Sequence, residues 1–357
     1  MSGTVIEPVP TPVRPEPDRQ PKARGRSRHA LLGFLEAYTL LILLVVAAVF
    51  FSVYGKTADT FPTAANLQIL VSSQAVTAIV ALAALVPLVC NEFDLSVGAV
   101  TGLSAVMSAS LLSDSMNVLL ALAVGVALGV AIGLVNALLV TRMGVNGVIT
   151  TLGTATVLGG VVVQKTGGIA VDSNIPKAVT DFGSLNALGI PRVAFAMVLV
   201  ALVVYYLLEH TPLGRQIYAL GSNRAAAELV GIRTSFVLAA TFVLAGGLSA
   251  VAGVIYVARA GGADPGVGEA FTLPALAAAF LSAAAVKPGK YNVGGTLVAI
   301  FFLAVLNNGL NLAGAPPYVT SYVNGAALVV GVALAASLHR QRASTGRRAT
   351  AADTEAV

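Results

Sequence analysis

The sequence predicts an all-α membrane protein that crosses the lipid bilayer many times. Of its 357 residues, 57% are hydrophobic and only 10% are charged, whereas soluble domains average about 25% charged residues. The apolar residues occur in runs of about 20, the length that crosses a bilayer as an α-helix. The mean hydropathy is accordingly high, at +0.86. Together these observations exclude a soluble domain of ordinary composition.

About ten apolar runs follow one another along the chain, and each is expected to form a membrane span. The fifth and eighth runs are short and rich in Gly, Thr or Ala, so either could be re-entrant or broken instead of a full span. The runs cover residues 31–54, 66–89, 95–113, 117–140, 147–163, 192–209, 236–258, 270–286, 292–313 and 320–338.

Both ends of the chain are polar and are expected to be disordered tails. Residues 1–29 are rich in Pro and Arg and residues 340–357 in small and charged residues, which leaves a membrane domain at 30–339. With a cytoplasmic N-terminus, 16 of the 21 Lys and Arg residues fall in cytoplasmic segments, as the orientation rule requires. We therefore expect both tails in the cytoplasm. The same rule explains the net charge of +5 without a nucleic-acid partner.

Two segments resemble each other and suggest an internal repeat. GLVNALLVTRMGV, around Asn136, is similar to AVLNNGLNLAGAP, around Asn307. In the expected topology the first of these spans runs into the cell and the second runs out of it. Transporters built from inverted-topology repeats show this relation.

Residues suited to metal binding or disulfide formation are few. His29, His210 and His339 lie far apart in the sequence and match no metal-ligand spacing, so we expect no metal site. The single cysteine, Cys90, excludes a disulfide within the chain.

The stretch CNEFDLSVGAV contains two acids in otherwise apolar sequence. No Lys or Arg between Thr57 and Thr141 is available to pair with Glu92 or Asp94, and a carboxylate near lipid is costly without a partner, a cavity or water. We expect Asp94 to be the helix cap of the third span, with its carboxylate on the free amides of the first turn. Glu92 is expected to face water or a partner subunit.

The longest polar segment between two spans is EHTPLGRQIYALGSNRAAAELVGIRTS, at residues 209–235. Asn223 or the preceding Ser is expected to cap a short helix from Arg224 to Val230. Gly231 is placed to end this helix in the left-handed conformation. Because so short a helix is unstable alone, the alternatives are a helix held by a partner protein and a solvated turn.

This segment resembles the coupling loop of ABC importer permeases, in particular the ribose/xylose-type sugar permeases. The match consists of the pair Gly214-Arg215, the sequence GSNRAAAELVGI and a span from Val237. Four more blocks match in the family's order, so the resemblance covers nearly the whole chain after Leu31. These blocks are FDLSVGAVTGLSAV at 93–106, TLGTATVLGGVVVQKTGG at 151–168, GADPGVGEAF at 262–271 and LNNGLNL at 306–312.

The resemblance implies a permease subunit that works as a dimer in the bacterial plasma membrane. A separate ATPase subunit would dock on the coupling loop at 210–235, and an extracytoplasmic binding protein would deliver a monosaccharide. Since the chain has no Gly-x-x-x-x-Gly-Lys-Ser/Thr phosphate loop, we expect no enzymatic activity and no cofactor, with ATP bound by the partner. The residues implied in coupling are Gly214, Arg215, Asn223, Ala226, Glu228 and Gly231.

Polar residues within the spans are the candidates to line the solute path. The alternative is that they bond neighbouring helices, at roughly 0.6–2 kcal/mol for each hydrogen bond. The candidates are Asn136, Thr151, Thr154, Asn307, Asn308 and Asn311.

Other functions stay open at this point. The chain could be an ABC permease for another solute, such as a branched-chain amino acid, a nucleoside or a polyol. It could also be an ion-coupled secondary transporter, in which Glu36, Glu92 or Asp94 would titrate. A receptor or structural protein has less support because no sizeable soluble domain lies outside the spans. Glu92 departs from the resembling family, which usually has a small residue at this position.

Overall fold

A computed structural model describes residues 24–355 of the chain, with side chains described for residues 37–337. The chain divides into two units, with the boundary between Leu35 and Glu36. Most of the predicted N-terminal tail, residues 1–23, lies outside the described residues, as do residues 356–357.

The described part of the chain consists of thirteen α-helices, one short hairpin and a 3-10 turn. The hairpin pairs β1 (Asn186–Ala187) with β2 (Ile190–Pro191) in antiparallel fashion, and the 3-10 turn (Ser282–Ala284) continues α11. The helices are α1 (Arg24–Val53), α2 (Ala64–Val89), α3 (Val97–Ser113), α4 (Val118–Thr141), α5 (Gly147–Thr166), α6 (Lys177–Ser184), α7 (Arg192–His210), α8 (Pro212–Ser222), α9 (Arg224–Leu229), α10 (Thr234–Ala260), α11 (Val267–Leu281), α12 (Val293–Leu312) and α13 (Tyr318–Glu355).

Eight helical segments within the described residues are long and apolar enough to cross a membrane, which confirms a multi-span helical protein. They are α2, α4, α5, α7, α10, α12, α11 with its 3-10 turn, and Tyr318–Ser337 of α13. Two shorter apolar segments accompany them, α3 and Ala37–Val53 of α1. Of the two runs suspected to be broken, the fifth is a continuous helix of 20 residues. The eighth is the short α11, which contains Pro274.

The two terminal helices extend beyond the predicted spans. α1 begins at Arg24 and α13 continues to Glu355, so the backbone is helical at 24–29 and 340–355, where disorder was predicted. Adding a residue to an existing helix is much easier than starting a new helix. Residues such as Ala and Arg also favour the helix, so a span can continue past its apolar part.

α2 is the most deeply buried of the long helices. Every residue from Ala75 to Val89 is buried, and the helix packs against α7, α10, α11 and α12. A helix that is apolar on all sides suits this position. The loop that carries Glu92 and Asp94 follows directly, so it starts from a well-packed part of the molecule.

Glycines bring α4 and α10 into close contact. A Cβ atom added at Gly129 would overlap with Ala250 and with the backbone of Gly246, and one at Gly133 would overlap with the backbone of Phe242. In lipid, helix association depends on such close packing because there is no hydrophobic driving force between spans. The glycines therefore set the distance between these two helices.

The helix order α2–α5 recurs in α10–α13 with matching boundaries. α2 and α10 begin at Ala64 and Thr234, and α3 and α11 begin at Val97 and Val267, so each pair is separated by 170 residues. α4 and α5 correspond in the same order to α12 and α13. The recurrence therefore extends well beyond the two segments whose sequences are similar.

A short motif before α3 also recurs before α11. The sequences are Asp-Leu-Ser-Val-Gly at 94–98 and Asp-Pro-Gly-Val-Gly at 264–268. In each motif the Asp carboxylate accepts a hydrogen bond from the backbone N–H two residues later, at 2.9 Å from Ser96 and 3.0 Å from Gly266. The two helices therefore begin with the same turn.

The first turns of α3 and α11 lie against each other. A Cβ at Gly98 would overlap with Thr272, and one at Gly102 would lie 3.0 Å from the backbone of Gly268. This order of contacts makes the two helices antiparallel. Each helix then continues away from the contact in the opposite direction to the other.

Candidate functional site

The short helix α9 forms as the sequence predicts. Asn223 is its N-cap, and the side-chain oxygen accepts a hydrogen bond from the N–H of Ala226 at 3.0 Å. Gly231 has a φ of +83° and donates its N–H to the carbonyl of Glu228 at 3.0 Å. A left-handed residue with this bond pattern is a common helix ending. The predicted cap and the predicted glycine stop are both confirmed.

The other predicted coupling residues lie along α8 and α9. Gly214 is buried against the end of α7, where a Cβ would overlap with the carbonyl oxygens of Leu207 and Leu208. Arg215 and Ala226 are exposed. The glycine therefore fixes the position of α8, and the exposed residues are available to another molecule.

Glu228 connects α9 to the first turn of α10. Its Oε1 accepts a hydrogen bond from the hydroxyl of Thr234 at 3.0 Å, and Thr234 is buried. The ion pair with Arg224, at 3.6 Å, joins two half-exposed side chains, and such surface pairs contribute little to stability. The bond to Thr234 is therefore the contact that orients α9 relative to α10.

α9 also presents apolar side chains that the sequence reasoning missed. Leu229 is 89% exposed and Val230 is 76% exposed, whereas Ala227 is buried. Neighbouring exposed apolar residues often mark contact surfaces. A helix of six residues can bury only one side. An apolar Leu-Val pair just before the terminating glycine could therefore have predicted an exposed contact surface from the sequence.

The loop after α2 is held against the end of α8. Asn91 donates its side-chain N–H to the carbonyl of Gly221 at 2.6 Å, and the Cys90 thiol donates to the carbonyl of Ile217 at 3.6 Å. Asn91 adopts a φ of +60°, which Asn tolerates better than most residues. The end of α2 and the end of α8 are thus joined through consecutive residues.

Asp94 is not the helix cap that the sequence predicted. The N-cap of α3 is Ser96, and Asp94 lies two residues earlier, with 2% of its surface exposed. Its Oδ1 accepts hydrogen bonds from the N–H of Ser96 at 2.9 Å and from the hydroxyl of Ser96 at 2.6 Å. A short carboxylate readily reaches the N–H two residues on, so it stabilises the turn before the helix instead.

Three of the six predicted path residues form hydrogen bonds around the start of α3. Asn136 donates to the hydroxyl of Ser96 at 3.0 Å and accepts from the hydroxyl of Thr154 at 2.7 Å. Thr151 accepts from the N–H of Leu95 at 3.0 Å. Asn136 and Thr151 are almost completely buried. In this arrangement the polar groups join α4 and α5 to the start of α3.

The other three predicted path residues line a polar cavity of about 340 Å³ between α2, α11, α12 and α13. Asn308 and Asn66 form a reciprocal pair of amide hydrogen bonds, at 3.1 and 3.0 Å. Asn307 donates to Asn324 at 3.2 Å, but its own buried oxygen has no partner among the described residues. Asn311 is exposed. The volume lies within the range of small-molecule sites, about 300–1,000 Å³.

The polar side chains around this cavity are neutral. Among the described residues that line it there is no Asp, Glu, Lys, Arg or His. Amide and hydroxyl groups both donate and accept hydrogen bonds, which suits a neutral solute with several hydroxyls. A charged solute would lie here without a counter-charge, at a considerable cost. The polar lining consists of Ser73, Gln74, Thr77, Asn307, Asn308, Asn311, Thr320 and Asn324.

Comparison with known proteins decides the family. Residues 66–332, most of the chain, match the family described as "Branched-chain amino acid transport system / permease component". The chain belongs to this permease family. It is a permease subunit of an ABC importer and a multi-pass membrane protein.

Curated relatives of the permease are named as import permeases. The permease is 34% identical to the ribose import permease protein RbsC of Escherichia coli (strain K12). The matched 311 residues make up 86% of this chain and 96% of that relative. The permease is 36% identical over 270 residues to RbsC of Bacillus subtilis (strain 168), a match that covers 75% of this chain and 84% of that relative. The autoinducer 2 import system permease protein LsrD of Salmonella paratyphi B is 31% identical over 270 residues, covering 74% and 81%. No solved structure gives a significant match.

The single cysteine of the permease should resist thiol reagents in the folded protein. Burial, together with the nearby Glu92 carboxylate, raises the pKa of the Cys90 thiol to about 12, and the thiolate is the reactive form. At pH 8 about one thiol in ten thousand would be ionised. We expect slow labelling by a maleimide in detergent and fast labelling after denaturation in dodecyl sulfate. Fast labelling of the folded permease would contradict this burial.

Proposed function

We propose that the permease carries a neutral monosaccharide of the ribose or xylose type into a bacterial cell. The observation that carries the proposal is the cavity lined by neutral amides and hydroxyls. Relatives named for ribose and autoinducer 2 import agree with it. The family description favours a second candidate, a branched-chain amino acid. That solute is a zwitterion, and the described lining of the cavity holds no charge to pair with either end of it.

Ten spans with both termini in the cytoplasm make up the proposed topology in the bacterial plasma membrane. α3 and α1 would join the eight longer segments, and 16 of the 21 basic residues would then lie in cytoplasmic segments. The recurrence of α2–α5 in α10–α13, with antiparallel first turns of α3 and α11, supports an inverted-topology repeat.

The ATPase subunit would dock on α9 and the residues around it. The exposed Leu229 and Val230 offer it an apolar contact, and Glu228 would pass its movement to α10 through Thr234. ATP is bound and hydrolysed by this partner, so the permease is the transport subunit and not the enzyme. The predicted coupling residues are Gly214, Arg215, Asn223, Ala226, Glu228 and Gly231.

An extracytoplasmic sugar-binding protein and a second permease copy would complete the importer. α5 has a largely unburied surface, with 28% of its span buried. Gly153, Thr156 and Gly160 lie along its exposed side. Such a stripe of small residues lets a helix of a second copy approach closely, which supports a dimer.

The solute would contact the cavity at Asn307, Asn308 and Asn311. In the first repeat, the hydrogen-bonded pair Asn136 and Thr154 occupies the places of Asn307 and Asn324 in the second, and Thr151 lies beside this pair. We place these three on the same path nearer to the cytoplasm, where their hydrogen bonds would break in the other state of the transport cycle.

Transport by the assembled importer tests the proposal. Proteoliposomes would contain the permease with its cognate ATPase and binding protein, and labelled ribose, xylose and leucine would be supplied in turn. We expect ATP-dependent uptake of one of the pentoses that persists after collapse of the proton gradient, and no uptake of leucine. Leucine uptake, or loss of pentose uptake with the gradient, would contradict the proposal.

A further inference from the structure

We propose that Glu92 is a positioning residue that links the coupling helix α9 to the first turn of α5. This link rests on the proposed role of α9 as the ATPase contact. It is separate from the bond between Glu228 and Thr234, which leads to α10. In this proposal Glu92, in the loop after α2, transmits a movement of α9 to α5.

On one side, Glu92 faces the first residue of α9. Glu92 and Arg224 line the same polar cavity of about 280 Å³ between the loop after α2 and the α8–α9 segment. Burial raises the pKa of the Glu92 carboxyl, and the positive charge of Arg224 opposes this effect. Cys90 lies in the same cavity, and its buried thiol is neutral at physiological pH. The two charged groups therefore attract each other across a small space that water can fill.

On the other side, Glu92 contacts the first residue of α5. A Cβ added at Gly147 would lie 2.8 Å from Oε2 of Glu92, so the carboxylate oxygen packs directly on the glycine. A negative charge is favourable at a helix N-terminus. Asn146 already accepts hydrogen bonds from the N–H groups of Val148 and Ile149, so Glu92 supplies charge and not a cap.

The loop that carries Glu92 is bonded to α8 before Glu92 and to α5 after it. Asn91 is bonded to the carbonyl of Gly221 in α8, and Leu95 donates its N–H to Thr151 in α5. The loop is thus fixed at one end to the coupling segment and at the other end to α5. A displacement of α8 and α9 would be carried along the loop to α5.

The charge of Glu92 makes this connection depend on the position of α9. If α9 moves with the ATPase, the distance from Arg224 to Glu92 changes, and so does the net field at the first turn of α5. α5 carries Thr151 and Thr154 of the proposed path. A shift of its first turn therefore reaches groups that the solute would pass.

Distance measurements on the full-length permease test the link without its partners. Spin labels would be placed by Leu229→Cys on α9 and Ile149→Cys on α5, both exposed positions, in a Cys90→Ala background and in lipid nanodiscs. We expect Glu92→Gln to broaden or shift the distance distribution and Glu269→Gln, which changes an exposed acid in α11, to leave it unchanged. An unchanged distribution in Glu92→Gln would overturn the proposal.

Gly147→Ala gives a second test that leaves the charge in place. The new methyl would push the Glu92 carboxylate away, while its other neighbours lie at 3.6 and 3.7 Å and can accommodate it. We expect the same change in label distance as in Glu92→Gln. If Gly147→Ala has wild-type distances, direct contact with α5 is not the basis of the link.

The assembled importer gives the functional readout. We expect Glu92→Gln to lower the maximal solute-stimulated ATP hydrolysis about five- to tenfold, with the basal rate and the half-maximal solute concentration unchanged. Adding Arg224→Gln should lower it little further, because both changes remove the same interaction and the exposed ion pair of Arg224 with Glu228, which is also lost, contributes little. If the losses of stimulated ATP hydrolysis caused by Glu92→Gln and by Arg224→Gln multiply in the double variant, the proposal is overturned. Absence of stimulation in the wild type would instead overturn the proposed function, and the label distances would still decide on the link.

Discussion

Gly231→Val should abolish solute-stimulated ATP hydrolysis by the assembled importer while the permease still inserts into the membrane. Gly231 has a φ of +83°, a conformation that costs roughly 1–2 kcal/mol for a residue with a Cβ and more for a branched one. No other atom lies within 4 Å of the added Cβ position, so the effect comes from the backbone alone. The end of α9 would turn, and Leu229 and Val230 would lose their orientation.

The magnitude and the control follow from the same geometry. We expect stimulation to fall by at least about tenfold, as when a coupling between two sites is lost. Gly314→Val is the matched control, because Gly314 has a φ of +87° and equally open surroundings but lies in the turn between α12 and α13. Stimulation that survives in Gly231→Val, or falls equally in both variants, would argue against α9 as the coupling element.

The structure of α9 was predictable because its determinants are local. A side chain of Asn223 bonds the N–H three residues later, and Gly231 alone accommodates the left-handed stop. The spans were predictable for a related reason, since each depends on the composition of one continuous run of residues. Neither prediction required knowledge of which segments meet in space.

The position of Asp94 was not predictable in this way. Whether α3 begins at residue 95 or at Val97 depends partly on Ser96, whose hydroxyl is bonded by Asn136 from another helix. A cap residue and a residue in a preceding turn look the same in the sequence. The error therefore came from a contact between residues 40 positions apart.

The environments of the six path residues also depend on contacts between residues that are distant in the sequence. Asn136 and Asn307 have similar sequence surroundings, yet the first is buried in a network and the second lines a cavity. The difference arises because the two repeats hold different neighbours around equivalent positions. Sequence similarity identified the equivalence, and only the packing separates their roles.

Asn307→Leu combined with Asn324→Leu should nearly abolish solute uptake while the helix pair stays folded. The two side chains bond each other at 3.2 Å, and replacing both partners of a hydrogen bond by apolar groups is close to neutral for stability. The solute, however, would lose the amide groups that both residues contribute to the lining of the cavity. A hydroxyl left without a partner costs about 1–3 kcal/mol, so uptake at low solute concentration should fall at least about tenfold.

An exposed neighbour of Asn324 on α13 and a second substitution distinguish solute contact from damage to the bundle. Tyr322→Leu changes an exposed side chain on the same helix, 70% exposed, and should leave uptake unchanged. Asn311→Asp should also impair uptake of a neutral sugar, because a carboxylate at the exposed edge of the cavity holds water that the solute must displace. Wild-type uptake in the double leucine variant would place the solute path elsewhere. A neutral sugar in this cavity would lose hydrogen bonds if these two lining residues were apolar.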